Sequence, residues 1–233
     1  MNSPGKRSNL GLLVLGVCLT LMWVPSPAYA APPLQGDDLV KQGDALYAKG
    51  LGLFQSGQYQ AALVEFEAAL PLYERARDRY KQALCWMSMG FAWHELGDGD
   101  GALEALQTSL SIWQEIGDRK GEAYALTGIG QVHASAARHQ DALEAYQRAL
   151  EIFVDTGNQQ REAETQSSIA QAHRSLGQYE EALRAFDQAL VIFRQLGDRA
   201  QEAKMLYGGG IVCKDLGRYP EALERLDQAH ALF

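Results

Sequence analysis

Apolar side chains return at spacings of three and four along most of this chain, and the clearest stretch lies between residues 161 and 196. Ile169, Ala170, His173 and Leu176 share one side of a segment from Arg161 to Leu176. Ala182, Leu183, Phe186, Ala189, Leu190 and Phe193 share one side of a segment from Glu180 to Leu196. That period is helical. Between the two segments sits Gly177-Gln178-Tyr179, where glycine can take the positive φ that ends a helix. The pattern predicts an antiparallel helical hairpin.

The hairpin recurs with a strict period of forty residues. Its inner turn appears at Gly57-Gln58-Tyr59, Gly97, Ala137, Gly177-Gln178-Tyr179 and Gly217-Arg218-Tyr219. A fixed period of this length means stacked units, none of which can bury its apolar face without a neighbour. The expected units span about 37–77, 78–117, 118–157, 158–197 and 198–233, after a short linker at 31–36. The second connection has its own signature in Gly117-Asp118-Arg119, Gly157-Asn158-Gln159 and Gly197-Asp198-Arg199. Glycine there suits the C-terminal cap of one helix, and Asp or Asn can accept from the free N–H groups of the next. Arg77 and Ala137 stand where the other units have glycine, so a left-handed residue there costs about 1 kcal/mol if the turn is kept.

Three sets of positions carry a family resemblance. Gly50, Gly90, Gly130, Ala170 and Gly210 are small, as are Ala62, Ala102, Ala142, Ala182 and Ala222 twelve residues later. Phe66, Leu106, Tyr146, Phe186 and Leu226 are large. This resembles the tetratricopeptide repeat over residues 37–233. The period is longer than the usual thirty-four. With its Gly117-Asp118-Arg119-Lys120-Gly121-Glu122-Ala123 joint, the unit is similar to the long-helix variety of Partner-of-Inscuteable-like and kinesin-light-chain-like scaffolds, and to exported bacterial repeat proteins, some joined to caspase-like domains. The resemblance implies an all-α, right-handed superhelical solenoid of five antiparallel hairpins.

It also implies that the first helix of each hairpin lines a concave groove, with positions two, five, nine, twelve and thirteen facing in. Counting from Ala83 as position one of its unit, these are Asp44, Tyr47, Leu51, Phe54 and Gln55, then Leu84, Met87, Phe91, His94 and Glu95. Next come Tyr124, Thr127, Gln131, Ala134 and Ser135, then Glu164, Ser167, Gln171, Arg174 and Ser175, and finally Lys204, Tyr207, Ile211, Lys214 and Asp215. The first half of this set is apolar and aromatic, whereas the second half is polar with Arg174, Lys204 and Lys214 positive. A row of apolar anchors beside charges that fix direction suits an extended or helical peptide. Equally, some of these aromatics can serve only to pack unit against unit. Asparagine at position six, which grips peptide backbones in relatives, is replaced by Ala48, Ser88, Gly128, Ser168 and Gly208.

The first thirty residues differ in kind. Lys6 and Arg7 precede an apolar run from Leu10 to Val24, and Ala28-Tyr29-Ala30 follows, the pattern of a secretory signal peptide cut after Ala30. Fifteen helical residues span about 22 Å, short of a hydrocarbon core of roughly 30 Å. Export to a periplasmic, luminal or extracellular space is expected, with a membrane tether as the alternative if cleavage fails. Removal of those residues leaves 19 Lys plus Arg against 29 Asp plus Glu, a net charge of −10. Such a chain repels phosphate backbones and carries no basic stripe, which argues against nucleic acid. Cys85 and Cys213 then remain, three units apart in a stack where only neighbours touch, so no disulfide joins them.

Nothing in the sequence points to a cofactor, metal or catalytic residue. His133 and His173 occupy equivalent positions in adjacent units and are expected to be structural, since zinc needs three or four converging ligands. Gly97-Asp98-Gly99-Asp100-Gly101 begins like a calcium loop, but Ala102 and Ser109 stand where further oxygen ligands belong. Gly208-Gly209-Gly210 lies inside a predicted helix without the lysine and hydroxyl of a phosphate loop, and makes unit five less rigid by expectation. The last helix is expected to expose Leu223, Leu226, Ala229 and Phe233, through self-pairing, a partner, fraying, or descent from a longer chain. The function implied is a non-catalytic protein-binding scaffold or assembly factor, the alternative being a regulatory repeat module of a caspase-like system that lacks its catalytic domain.

Overall fold

Each predicted turn ends a helix by the same mechanism. In a computed structural model that describes residues 36–232, the N–H of Gly57 reaches the carbonyl of Phe54 at 3.0 Å and that of Gln58 reaches Leu53 at 2.9 Å, and these paired bonds recur in every unit. They satisfy helix-end carbonyls only when the turning residue is left-handed. Gly57, Gly97, Gly177 and Gly217 turn the inner corners, and Gly117, Gly157 and Gly197 turn the outer ones. Arg77 at φ 58° and Ala137 at φ 57° take the same conformation without glycine's freedom. Packing of the units therefore outweighs the local strain at both positions.

Ten helices result among the described residues: α1 (Gly36–Gln55), α2 (Tyr59–Ala76), α3 (Arg79–Glu95), α4 (Gly99–Ile116), α5 (Arg119–Ser135), α6 (His139–Asp155), α7 (Gln159–Ser175), α8 (Tyr179–Leu196), α9 (Arg199–Asp215) and α10 (Tyr219–Leu232). No strand occurs among the described residues. Each helix packs chiefly on the one before and the one after it, which is the contact pattern of a solenoid. The expected signal segment, linker and Phe233 lie outside the described residues.

Five helices begin on a side-chain N-cap, four of them at outer joints and one, at Asp98, at an inner corner. Asp78, Asp98, Asp118, Asn158 and Asp198 each accept from the N–H three residues on, at 2.8 to 3.3 Å. Asp98, the first candidate ligand of the calcium-like run, is thus occupied as a cap. At three of the outer joints the acid or amide four residues after the cap ties the new helix to the previous unit. Gln82 donates to the Tyr73 carbonyl at 3.1 Å, Gln114 donates to Glu122 at 3.1 Å, and Arg194 donates to Glu202 at 2.8 Å.

The core repeats with the sequence. Ala62, Ala102, Ala142, Ala182 and Ala222 are all buried, as are Phe66, Leu106, Tyr146 and Phe186. A Cβ built on Gly50, Gly90 or Gly130 would fall 2.5 to 2.6 Å from Phe66, Leu106 or Tyr146 respectively, so these glycines admit the large residue of their own hairpin. Unit four breaks the rule: Ala170 replaces glycine, and the ring of Phe186 lies against Gly208 of the next unit, where a Cβ would approach to 2.7 Å. The three consecutive glycines of α9 are therefore a contact surface. Gly209 faces Arg225 and Gly210 faces Leu226, at 2.9 and 3.0 Å from a notional Cβ.

Candidate protein-binding groove

The first helices lie on the inner side of the stack. α1 approaches α3 directly and α3 approaches α5, a closeness that no pair of second helices matches. Side-chain bonds join these first helices across units: Tyr47 to Ser88 at 2.9 Å, Asp44 to Lys81, and Arg174 to Asp215 at 3.1 Å.

Of the positions predicted to face inward, Ser167 alone is buried, and the others retain some exposure. Their surroundings differ, however. In α1, Tyr47 is half-buried with its ring 5.4 Å from that of Phe66, and burial raises its phenol above the usual tyrosine range. Phe54 meets Tyr59 edge-on at 5.2 Å, whereas Leu51 has 36% of its surface exposed. Leu84, Met87 and Phe91 of α3 are half-buried against the core. Tyr124 of α5 packs edge-on against Phe153 at 5.6 Å, with the Arg161 guanidinium 5.1 Å above its ring. Tyr47, Phe54 and Tyr124 thus already pack within their own hairpins, and Tyr47 and Tyr124 also meet the next unit through Ser88 and Arg161, while Leu51 and Tyr207 stand free, the latter 56% exposed.

Gln131 and Gln171 are exposed, and Gln171 helps line a cleft of about 310 Å³ with Ser135, His139, Tyr146, Ser168 and Ser175. Burial pushes the Tyr146 phenol up to about 12, with Ser168 opposing this through a hydrogen bond. In α9, Lys204, Tyr207 and Lys214 are exposed and Ile211 is half-buried. The expected trio of positive groove residues needs one amendment. Arg174 spends its charge on Asp215, itself a groove position, so Lys204 and Lys214 are the cations of the trio without an ion-pair partner among the described residues.

Two contributors escaped the periodic reading. Tyr73 and Lys81 line a small cleft of about 200 Å³ between units one and two, together with the expected Asp44, Tyr47 and Leu84. There Tyr73 donates to Asp44 at 3.0 Å, and burial followed by the Asp44 bond holds its phenol far above the usual range. Lys81 bonds the same carboxylate and lies 5.7 Å from the Tyr73 ring. Position six also acquires a role. Ser88 and Ser168 meet Tyr47 and Tyr146 of the unit before, and Gly128 makes room for Leu106 and Phe91. At Gly128 an added side chain would meet Leu106 and Phe91, at 2.9 and 3.0 Å from a notional Cβ.

The remaining candidates resolve structurally. Cys85 and Cys213 are free and buried, and Cys85 donates to the Phe66 carbonyl at 3.0 Å. His173 Nδ1 pairs with Gln178 at 2.6 Å. His133 Nδ1 is enclosed, 3.8 Å from Asp141, and desolvation, helped by Arg138, lowers its pKa against the opposing pull of Asp141. Among the described residues no three His, Cys, Asp or Glu side chains are grouped to hold a metal. No described helix is long and apolar enough to cross a membrane. At α10 the expected apolar face is narrower than the spacing suggested. Ala229 is buried and Leu226 packs on Gly210, because that stripe faces α9, which leaves Leu223 at 62% exposure.

Comparison with known proteins agrees with this architecture. No curated protein matches the sequence. Among solved structures, the nearly identical repeats of a kinesin light chain from Podosopora anserina superpose with a TM-score of 0.71 at 17% identity, over 83% of this chain and 95% of that one. A Rap protein complexed with competence and sporulation factor matches with a TM-score of 0.68 at 18% identity, over 86% of this chain and 55% of that one. Aspartyl phosphate phosphatase F from Bacillus subtilis gives 0.70 at 12% identity, over 84% and 60%. This chain therefore spans little more than half of the latter two, and at these identities the likeness is one of fold. The tetratricopeptide repeat model matches residues 82–153 and 161–233. With that match over most of the chain and the hairpin stack it predicts, the chain belongs to the tetratricopeptide repeat family.

Proposed function

We propose that this protein is an exported, non-catalytic scaffold that holds a peptide or protein segment along the inner face of its first helices. The carrying observation is the run of partly exposed apolar side chains at Tyr47, Leu51, Phe54, Leu84, Met87 and Phe91, continued by Tyr207 and Ile211 beside the unpaired Lys204 and Lys214. Apolar anchors of this kind supply affinity, and charges at one end set direction. The ligand's apolar residues face units one and two, and its acidic part faces unit five. The Rap protein complexed with competence and sporulation factor supports the holding of another molecule as a use of this fold. Export rests on Lys6, Arg7 and the apolar run to Ala30, and N-terminal sequencing of the exported protein should begin at Ala31.

Substitution of Leu51→Asp, Tyr207→Ala and Lys214→Glu tests the groove at positions outside the packed core. Partners recovered by the mature chain from cell extract should be lost by the triple variant. Equal recovery at equal affinity would sink the groove reading. Activity-based labelling tests the other clause: a stoichiometric covalent adduct on one residue would make the protein an enzyme.

A further inference from the structure

The opposite side of the stack holds a second surface. Between α2 and α4 lies an open cleft of about 710 Å³, with Trp86, Leu103 and Ile112 on its floor and the carboxylates of Glu74, Asp100 and Glu104 along its sides. The same cleft recurs three units later between α8 and α10, at about 350 Å³. The forty-residue register makes the two directly comparable. In the later cleft Arg225 donates to Asp187 at 2.6 Å and to Glu221 at 3.2 Å, so a cation reaches across and joins the two helices. The position equivalent to Arg225 in the earlier cleft is Ala105, and that equivalent to Glu221 is Gly101. Glu74 stands where the later cleft has Arg194, and Trp86 stands where it has Leu206. Unit two therefore has a larger cleft, a larger aromatic floor and no bridging cation, and of its three carboxylates Glu104 alone has an acidic counterpart, Glu224, in the later cleft.

Charge completes the argument. Glu74 and Glu104 are exposed and belong to no ion pair among the described residues. Arg79 is the one cation that lines this cleft, and it is committed to Gln82 at 2.8 Å and to Glu115. Within α2, Pro71 has no N–H for the carbonyl of Glu67, and neither residue lines this cleft. Asp187 and Val191, the counterparts of Glu67 and Pro71, line the later cleft. From Asp100 to Ser111 the cleft runs about 16 Å along α4, the length of roughly three helical turns.

We propose that this convex cleft docks a short cationic amphipathic helix of another protein. Its apolar stripe lies on Trp86, Leu103 and Ile112, and its Lys or Arg side chains reach Glu74, Glu104 and Asp100. The site is separate from the inner groove, so either can fail alone.

The probe is a fluorescein-labelled peptide of about twelve residues, with leucine on one helical stripe and lysine beside it, the length that fills the cleft. Fluorescence anisotropy with the mature chain should show saturable binding that weakens with salt. The Glu74→Lys/Glu104→Lys pair, both exposed, should weaken it about tenfold, since two attractions become repulsions. Trp86→Leu, the residue of the later cleft, should weaken it as well. An Asp37→Lys/Asp38→Lys control of equal charge change at the far end of α1 should leave it unchanged. Equal binding of a glutamate-for-lysine peptide overturns the proposal, as does equal loss in the control or no loss in the Glu74/Glu104 pair. The circular dichroism spectrum checks each variant's fold. If Trp86→Leu unfolds, the Glu74/Glu104 result decides alone.

Discussion

Tyr47 and Ser88 meet hydroxyl to hydroxyl at 2.9 Å, which ties the first helix of unit one to the first helix of unit two. The bond lies on the inner face, beside the residues offered to a ligand, and it occupies position six, where peptide-gripping relatives carry asparagine. Ser88 thus serves the stack. Tyr47→Phe should cost about 1 kcal/mol in urea unfolding, the typical worth of one part-buried hydrogen bond. Tyr47→Phe/Ser88→Ala should cost little more than the single change, and full additivity would contradict the pairing.

Arg77 and Ala137 are the two non-glycine residues with positive φ. Both caps keep the bonds of their glycine counterparts, so each substitution to glycine relieves strain without a loss of contacts. Ala137→Gly and Arg77→Gly should each stabilise by about 0.5 to 1 kcal/mol, after the unfolded-state entropy of glycine is subtracted. Denaturation midpoints with an unchanged slope provide the check.

Gly121 faces the buried ring of Trp113, and a Cβ there would fall 2.3 Å from it. Gly121→Ala should therefore destabilise by about 1 to 3 kcal/mol, the range for an overfilled core, and should shift the tryptophan emission. Alanine at the exposed Gly52, which has nothing within 4 Å, should instead be neutral or slightly stabilising.

His133 gives stability a pH dependence. Desolvation lowers its folded-state pKa below that of the unfolded chain, so between the two values the unfolded state binds more protons and stability falls with falling pH. The loss should begin as pH drops through about 6.5, the unfolded value, and level off below the folded one. His133→Gln should flatten that part of the profile in urea unfolding followed from neutral to mildly acidic pH. A profile unchanged by the substitution would assign the dependence elsewhere.

Both cysteines should resist thiol reagents in the native state. Burial pushes the Cys85 thiol up to about 12 and raises Cys213 as well, so neither presents thiolate near neutral pH. Labelling with a chromogenic disulfide reagent should be slow without denaturant and reach two thiols per mature chain with it.

The hairpins, their corners and the small-to-large contacts were legible in the sequence because each is a local or near-neighbour constraint repeated at one spacing. Gly50 with Phe66, and Asp118 with the N–H of Gly121, need only helix geometry and a tight turn to be inferred. The inner face was legible in outline for the same reason. Its charges were not: Arg174 and Asp215 lie forty-one residues apart, and their positions in the unit do not say whether two side chains incline toward one another. Nor does the period tell that the ring of Phe186 lies against Gly208 of the next unit, a contact set by how the units stack.

The sequence by itself therefore determined a stack of helical pairs and which stripe of each helix is buried, since periodicity and cap chemistry act within one unit. The tertiary structure alone decided which groove side chains are spent on neighbours, what the side chains at position six touch, and that an arginine bridges the cleft of unit five and not that of unit two. Those outcomes depend on side chains that converge from separate units, and convergence is a property of three-dimensional packing rather than of spacing along a chain.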